Sequence, residues 1–192
     1  MKRTLLTFII AAAALSAYAQ PRAIGLRFGV TGIEADYQHS LNKSQFLEGN
    51  LGMDLGYTAN GTPGVKVTGI YNFIWARPAW TAKGAWSLYA GPGVSLGYVN
   101  DEVHFKAGKE VVHYLDNGFM IGVCGQVGLE YTFWFPLQLS IDLRPTIGMH
   151  VNGGYSHTEP ATGIQVKYDP RVGFYDNGLL GFSPTISVRY RF

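Results

Sequence analysis

A chain of 192 residues holds one domain of about 170 residues once an exported leader is set aside. Its formal net charge of +2 is carried by Lys2 and Arg3 in that leader, which leaves no basic tract to suggest nucleic acid. Aromatics at 14% and 25 glycines, against only 15% charged residues, argue against charge-rich, glycine-poor helical repeats and for β-structure. The single cysteine, Cys124, excludes an intramolecular disulfide framework.

Lys2 and Arg3 open the chain, and Leu5 to Leu15 are apolar apart from Thr7. Ala17-Tyr18-Ala19 then places small residues at the two positions a signal peptidase reads. This is the layout of a secretory signal peptide over 1–19, too short and too early for a membrane anchor. No cysteine follows the cleavage site at once, which disfavours a lipid anchor. No long apolar segment follows either, so a membrane-spanning mature chain (20–192) has to be a closed barrel that pairs every backbone group.

Alternation with a period of two marks about eight strands. Ala23–Thr31 sets Ile24, Leu26, Phe28 and Val30 against Gly25, Arg27 and Gly29. The next run sets Ile33, Ala35, Tyr37 and Leu41 against Glu34, Asp36, Gln38 and Ser40, and Leu41-Asn42-Lys43-Ser44 is a short turn. The third opposes Leu47, Leu51, Met53, Leu55 and Tyr57 to Glu48, Asn50 and Asp54, and ends at the turn signal Asn60-Gly61-Thr62-Pro63-Gly64. The fourth opposes Val65, Val67, Tyr71, Phe73 and Trp75 to Lys66, Thr68 and Asn72. After Arg77-Pro78, the fifth carries Trp86, Leu88, Val94, Leu96 and Tyr98 with Ser87, Tyr89 and Ser95 between them. The sixth, around 119–134, opposes Ile121, Val123, Val127, Leu129, Tyr131 and Phe133 to Cys124, Gln126, Glu130 and Thr132. Phe135-Pro136 connects it to the seventh, where Leu137, Leu139, Ile141 and Leu143 alternate with Gln138, Ser140, Asp142 and Arg144. The eighth has Ile186, Val188, Tyr190 and Phe192 opposite Ser183, Thr185, Ser187, Arg189 and Arg191.

An even strand number puts both termini on one side, the periplasm for such a barrel. The turns near Asn42, Pro78 and Pro136 then face the periplasm, and Phe46, Trp75, Trp80, Phe133, Trp134 and Phe192 form an aromatic girdle there. The connections 100–117 and 149–178 are long and polar, and are expected to be external hairpins with tips near Ala107-Gly108 and Thr162-Gly163.

The C-terminal Ile186-x-Val188-x-Tyr190-x-Phe192 resembles the sorting signal of outer-membrane barrels. Together with Gly125-Gln126-Val127-Gly128-Leu129-Glu130-Tyr131-Thr132-Phe133, strand number and loop asymmetry, it makes the chain similar to small eight-stranded outer-membrane barrels of Gram-negative bacteria, the OmpX-like or "outer membrane protein β-barrel domain" family. The resemblance covers the mature chain. It implies an all-β, antiparallel, up-and-down transmembrane barrel in the cell outer membrane, with lipid and the barrel-assembly machinery as partners. It implies no defined activity, because a shared fold leaves function to the site.

No residue pattern assigns a catalytic, cofactor-binding or metal-ligating group. His150-Val151-Asn152 has Asn where a His-x-Ser deacylase has its nucleophile. Ser156-His157-Thr158-Glu159 has the residue types for acyl transfer, but strand neighbours point to opposite faces, so they converge only in an irregular loop. His104, His113, His150 and His157 lack tight ligand spacing. The inward faces say more. Arg27, Lys66, Arg144 and Arg189 are expected to pair with Glu48, Asp54, Glu130 and Asp142 in a narrow lumen, because isolated buried ions are costly. Glu34, Asp36 and Arg191 are expected at the wet rim. The function expected is a structural or surface-interaction role through an extracellular ligand or protein at the two hairpins. The alternatives are a lipid-modifying or proteolytic enzyme at the outer rim, a small-solute channel, or a secreted soluble sandwich or lipocalin-like binder.

Overall fold

The computed structural model describes residues 22–30, 32–55, 63–107, 110–153, 155–158, 165–176 and 182–192, with side chains described for all of these except 100–117, 155–158 and 165–168. The leader 1–19 and both hairpin tips lie outside the described residues. The described residues form twelve strand segments: β1 Arg22–Gly29, β2 Gly32–Asn42, β3 Gln45–Asp54, β4 Gly64–Ala76, β5 Ala85–Ala107, β6 Glu110–Thr132, β7 Leu137–Leu143, β8 Thr146–Asn152, β9 Tyr155–Thr158, β10 Gln165–Tyr168, β11 Arg171–Asp176 and β12 Thr185–Arg191.

The segments close into an eight-stranded antiparallel barrel in the order β1, β2, β3, β4, β5, β6, β7, β12, and β12 returns to β1. Its seam runs from Ala23 opposite Arg191 to Phe28 opposite Ile186. It ends on two backbone bonds, Phe192 N–H to the Arg22 carbonyl at 2.9 Å and Arg22 N–H to the Phe192 carbonyl at 3.2 Å. Closure removes the unpaired edges that a sheet of this size would otherwise expose.

A second, smaller ring sits at the far end from the short turns. β8 continues β7 past Arg144-Pro145 with the register to β6 unbroken, from Val127 opposite Leu143 to Cys124 opposite Thr146. Pro145 interrupts only the ladder, since it has no N–H to give, and its carbonyl still accepts from Gly125 N–H at 3.0 Å. β11 lies against β8 and reaches across to β5, with Phe174 opposite His104 and Tyr175 opposite Val103. Since β5 and β6 also pair with each other, β5, β6, β8 and β11 close a four-stranded neck over the mouth.

The neck corrects two expectations. The segment 149–178 is not all external loop: β8 and β11 belong to the wall, and only 153–170 extends beyond their pairing. The eighth wall strand is in two pieces, because the chain takes nine positions from Asp176 to Thr185 where the neighbouring strand takes five, from Ile147 to Asp142. The hairpin of β5 and β6 is longer than expected, at 23 residues per strand. The wall strands β3 and β4 have 10 and 13 residues, so the far part of this hairpin projects well past the wall.

The inward and outward faces follow from parity. Residues directly opposite in an antiparallel pair share a face, so the alternation of one strand propagates to the next. Leu26, Ala35, Leu51, Val67, Leu96, Ile121, Met149 and Phe174 succeed one another as cross-strand partners and all face outward. Large apolar side chains there are 40–60% exposed, while the polar ones opposite them are buried. Trp75, Trp80, Trp134 and Phe192 are exposed at the short-turn end. There Trp80, Trp86, Tyr131, Phe133 and Trp134 make a run of ring contacts with centroids 4.6–5.9 Å apart.

Phe46 does not join that girdle. It points into the lumen, 3% exposed, and its ring meets Tyr89 edge-on at 5.3 Å. The reason is parity: Phe46 is two positions from Glu48 and four from Asn50, both inward. Gly128 makes room for Tyr89, its cross-strand partner. A Cβ at Gly128 would sit 2.4 Å from the Tyr89 ring and hydroxyl.

Candidate functional site

The lumen of the eight-stranded section is filled by charged side chains from opposite walls. Alternation fixes which residues enter it, and the short loops at the turn end hold adjacent strands in register. Arg189 on β12 reaches Asp36 on β2, Nη2 to Oδ2 at 2.6 Å, and Glu48 on β3 at 3.4 Å. Its contact with Glu130 on β6 is longer, 3.9 Å, and its Nη1 donates to Ser140 at 2.8 Å. Arg144, between β7 and β8, spans the lumen to Glu48 at 2.7 Å and Glu34 at 3.1 Å. Arg27 on β1 bridges Glu34 at 3.0 Å and Asp142 at 2.6 Å. Lys66 pairs with Asp54 at 2.6 Å nearer the neck.

Four cations therefore face six carboxylates. Neutral donors serve the carboxylates as well: Gln38 donates to Glu130 at 2.9 Å, Asn50 to Glu48 at 3.2 Å, Gln126 to Glu48 at 3.3 Å and Thr185 to Asp142 at 2.8 Å. A buried ion pair needs such extra hydrogen bonds, because Coulomb attraction alone does not recover the desolvation cost. The result is a rigid polar plug. Chemically it ties seven wall strands together: β1, β2, β3, β4, β6, β7 and β12.

Of the expected lumen residues, the structure places Arg27, Glu48, Asp54, Lys66, Glu130, Asp142, Arg144 and Arg189 on the inner face and joins them as above. Ile186, Val188 and Tyr190 face outward on β12, and Phe192 follows its end. Glu34 and Asp36 were expected at the wet rim but lie deep in the plug, at 6% and 1% exposure. Alternation gave their face, which Asp36 shares with Gln38, while their depth comes from the register that sets Glu34 opposite Arg27. Arg191 is half-buried at the short-turn mouth.

The neck closes by a different chemistry. Val99, Met120 and Tyr175 form a buried apolar cluster, and His150 on β8 is buried beside it on the inner face. Gly118 leaves space for that imidazole, since a Cβ there would lie 2.6 Å from His150 Cε1. Asn152, two residues on, also points inward, so His150 and Asn152 share the inner face with no serine between them. Ser156 and His157 are successive residues of the regular strand β9, not the irregular loop that convergence requires. His104 and His113 are cross-strand partners in the β5–β6 register. Sequence reasoning gave no weight to the neck, although Met120 has the same parity as Cys124 and Gln126.

Comparison with known proteins adds no name to this geometry, for no family model, no curated protein and no solved structure matches the chain.

Proposed function

We propose that this chain is an integral outer-membrane barrel with a closed lumen, acting as a structural or surface-interaction protein through the projecting part of the β5–β6 hairpin and residues 153–170. The observation that carries this reading is the inversion of faces. Apolar side chains cover the outside of the barrel and ions fill its inside, the reverse of a water-soluble barrel. Exposed apolar patches of more than a few hundred Å² on soluble monomers are rare and mark interaction with membrane or protein. Here the apolar surface forms a band around the wall, flanked at one end by indole and phenyl rings, which suits a bilayer better than a protein partner. The same reading makes 1–19 a cleaved leader and Ile186, Val188, Tyr190 and Phe192 the strand offered to the barrel-assembly machinery.

Cell fractionation with gel mobility before and after boiling tests the membrane claim. The mature protein is expected in the outer membrane and to shift its mobility on heating. Solubility without detergent would defeat the reading. Epitopes inserted between Ala107 and Gly108 are expected to be reached by antibody on intact cells, and epitopes inserted between Asn42 and Lys43 only after the membrane is broken. The opposite pattern would reverse the orientation. Deleting Phe192 removes the two backbone bonds that end the seam and is expected to leave a protease-sensitive, uninserted chain.

A further inference from the structure

The outer face of the wall has a gap in its apolar cover. Gly49, Gly69 and Gly125 face outward on β3, β4 and β6, and a Cβ on any of them would meet nothing within 4 Å. Gly49 and Gly69 are cross-strand partners, and Pro92 on β5 is opposite Gly125. Gly69 is opposite Val94, two residues from Pro92, so the glycines of β3, β4 and β6 leave a staggered gap that crosses β5 at Pro92. They leave a groove of about 1150 Å³, with Leu47 and Tyr71 along one bank and Val94 and Val123 along the other.

One end of the groove is polar. His39 on β2 lines it, with Nδ1 3.4 Å from the Tyr37 hydroxyl, and Arg22 on β1 is the cross-strand partner of His39. When that hydroxyl donates to Nδ1, the imidazole carries its proton on Nε2 and can donate to an anion. Among the described residues the side-chain charge at this short-turn end is one-sided. Arg22, Lys43, Arg77 and Lys83 lie there, while the acidic side chains at that level, Glu48 and Glu130, point into the lumen. Among the described residues, no acidic side chain lies outside the lumen at this end.

Resting on the membrane reading above, we propose that this face holds one anionic phospholipid of the inner leaflet, with an acyl chain in the glycine-floored groove and its phosphate against Arg22 and His39. An acyl chain restores the dispersion contacts that the wall lacks over the glycines. Basic side chains at a membrane surface attract anionic lipid, and a guanidinium can take two phosphate oxygens at once. The groove supplies shape and the cationic end supplies headgroup choice.

Native mass spectrometry of the full protein, exchanged in detergent with equal phosphatidylglycerol and phosphatidylcholine, tests the site. One retained phosphatidylglycerol is expected, favoured about tenfold, which corresponds to about 1.4 kcal/mol. Gly69→Leu puts a branched side chain into the groove from a position where a Cβ meets nothing and is expected to remove retention of either lipid. Arg22→Gln combined with His39→Gln is expected to keep a lipid but lose the headgroup preference. Should Gly69→Leu fail to fold, the double charge variant decides alone. A heat-modifiable barrel that retains no lipid, retains a free fatty acid instead, or keeps its preference in the charge variant overturns the site and leaves the membrane reading standing. A protein that never enters phosphatidylglycerol vesicles overturns both.

Discussion

Below the neck the lumen is filled by ion pairs, whereas in the neck the described side chains centre on an apolar cluster of Val99, Met120 and Tyr175. Eight inward faces contribute to the first region and four strands to the second. An eight-stranded barrel leaves an interior just wide enough for side chains to fill, and long charged side chains reach across it, as Arg144 does to Glu34 and Glu48. An apolar inner face would have made every wall strand apolar on both sides, which invites aggregation before the barrel closes. The neck escapes that constraint because fewer strands surround it, and among the described side chains Val99, Met120 and Tyr175 pack together there beside His150. The polar plug is directional and depends on each partner, while the neck is non-directional and tolerates adjustment.

The largest effect that separates the two regions is expected from Glu48→Ala. Glu48 accepts from Arg144 at 2.7 Å and lies 3.4 Å from Arg189, so its loss leaves two buried guanidiniums short of a partner. A destabilisation of about 3–5 kcal/mol is expected, read from the denaturant midpoint of the folded protein in detergent. A loss under about 1 kcal/mol would mean that water reaches the plug. In the neck, Met120→Ala is expected to cost about 2–3 kcal/mol, the lower part of the range for truncating a buried Met, because neighbouring rings can relax into the space. If the regions are separate, the double variant should show the sum of both losses within about 0.5 kcal/mol. A larger coupling would make plug and neck one unit.

Two independent closures also predict silence in a planar bilayer. The unmodified protein, Glu48→Ala and Tyr175→Ala are each expected to show no steady current, since each retains one closure. Only Glu48→Ala combined with Tyr175→Ala is expected to conduct. Steady currents from the unmodified protein would restore the channel alternative.

Much of the plug is legible in the sequence, because a period of two is the strongest signal a strand carries. Once Leu26 and Leu51 are set outward, Arg27 and Glu48 must enter the lumen. The same rule, followed through, sends Phe46 inward, whereas residue type alone sets it at the interface. Glu34 and Asp36 are already on the inner face by alternation, but their depth below the rim depends on the register of β2 against β1, which alternation alone does not give. The neck was less legible. It depends on Tyr175 pairing with Val103, more than 70 positions away, and on extra chain between β11 and β12, neither of which leaves a local pattern. The groove is a third case: the sequence displays Gly49, Gly69 and Gly125, but their staggered gap requires the register of four strands.

The smallest effect is expected at Glu130, where the geometry and a simple count of charges disagree. By charge alone, Glu130 is one more carboxylate facing Arg189. By distance it is the weakest of the three, at 3.9 Å against 2.6 Å for Asp36 and 3.4 Å for Glu48. Its closest partner is neutral, the Gln38 amide at 2.9 Å, and Gln38 in turn accepts from Gln138 at 2.6 Å. Glu130→Ala therefore removes one hydrogen bond to a charged group and leaves Arg189 with two carboxylates and Ser140. A loss of about 1.5–3 kcal/mol is expected, the usual worth of such a bond, below that of Glu48→Ala. Glu130→Gln should recover part of it by accepting from Gln38. If Glu130→Ala instead equals Glu48→Ala, Arg189 is held by the sum of its charges rather than by its nearest partners, and the ranking drawn from distances fails.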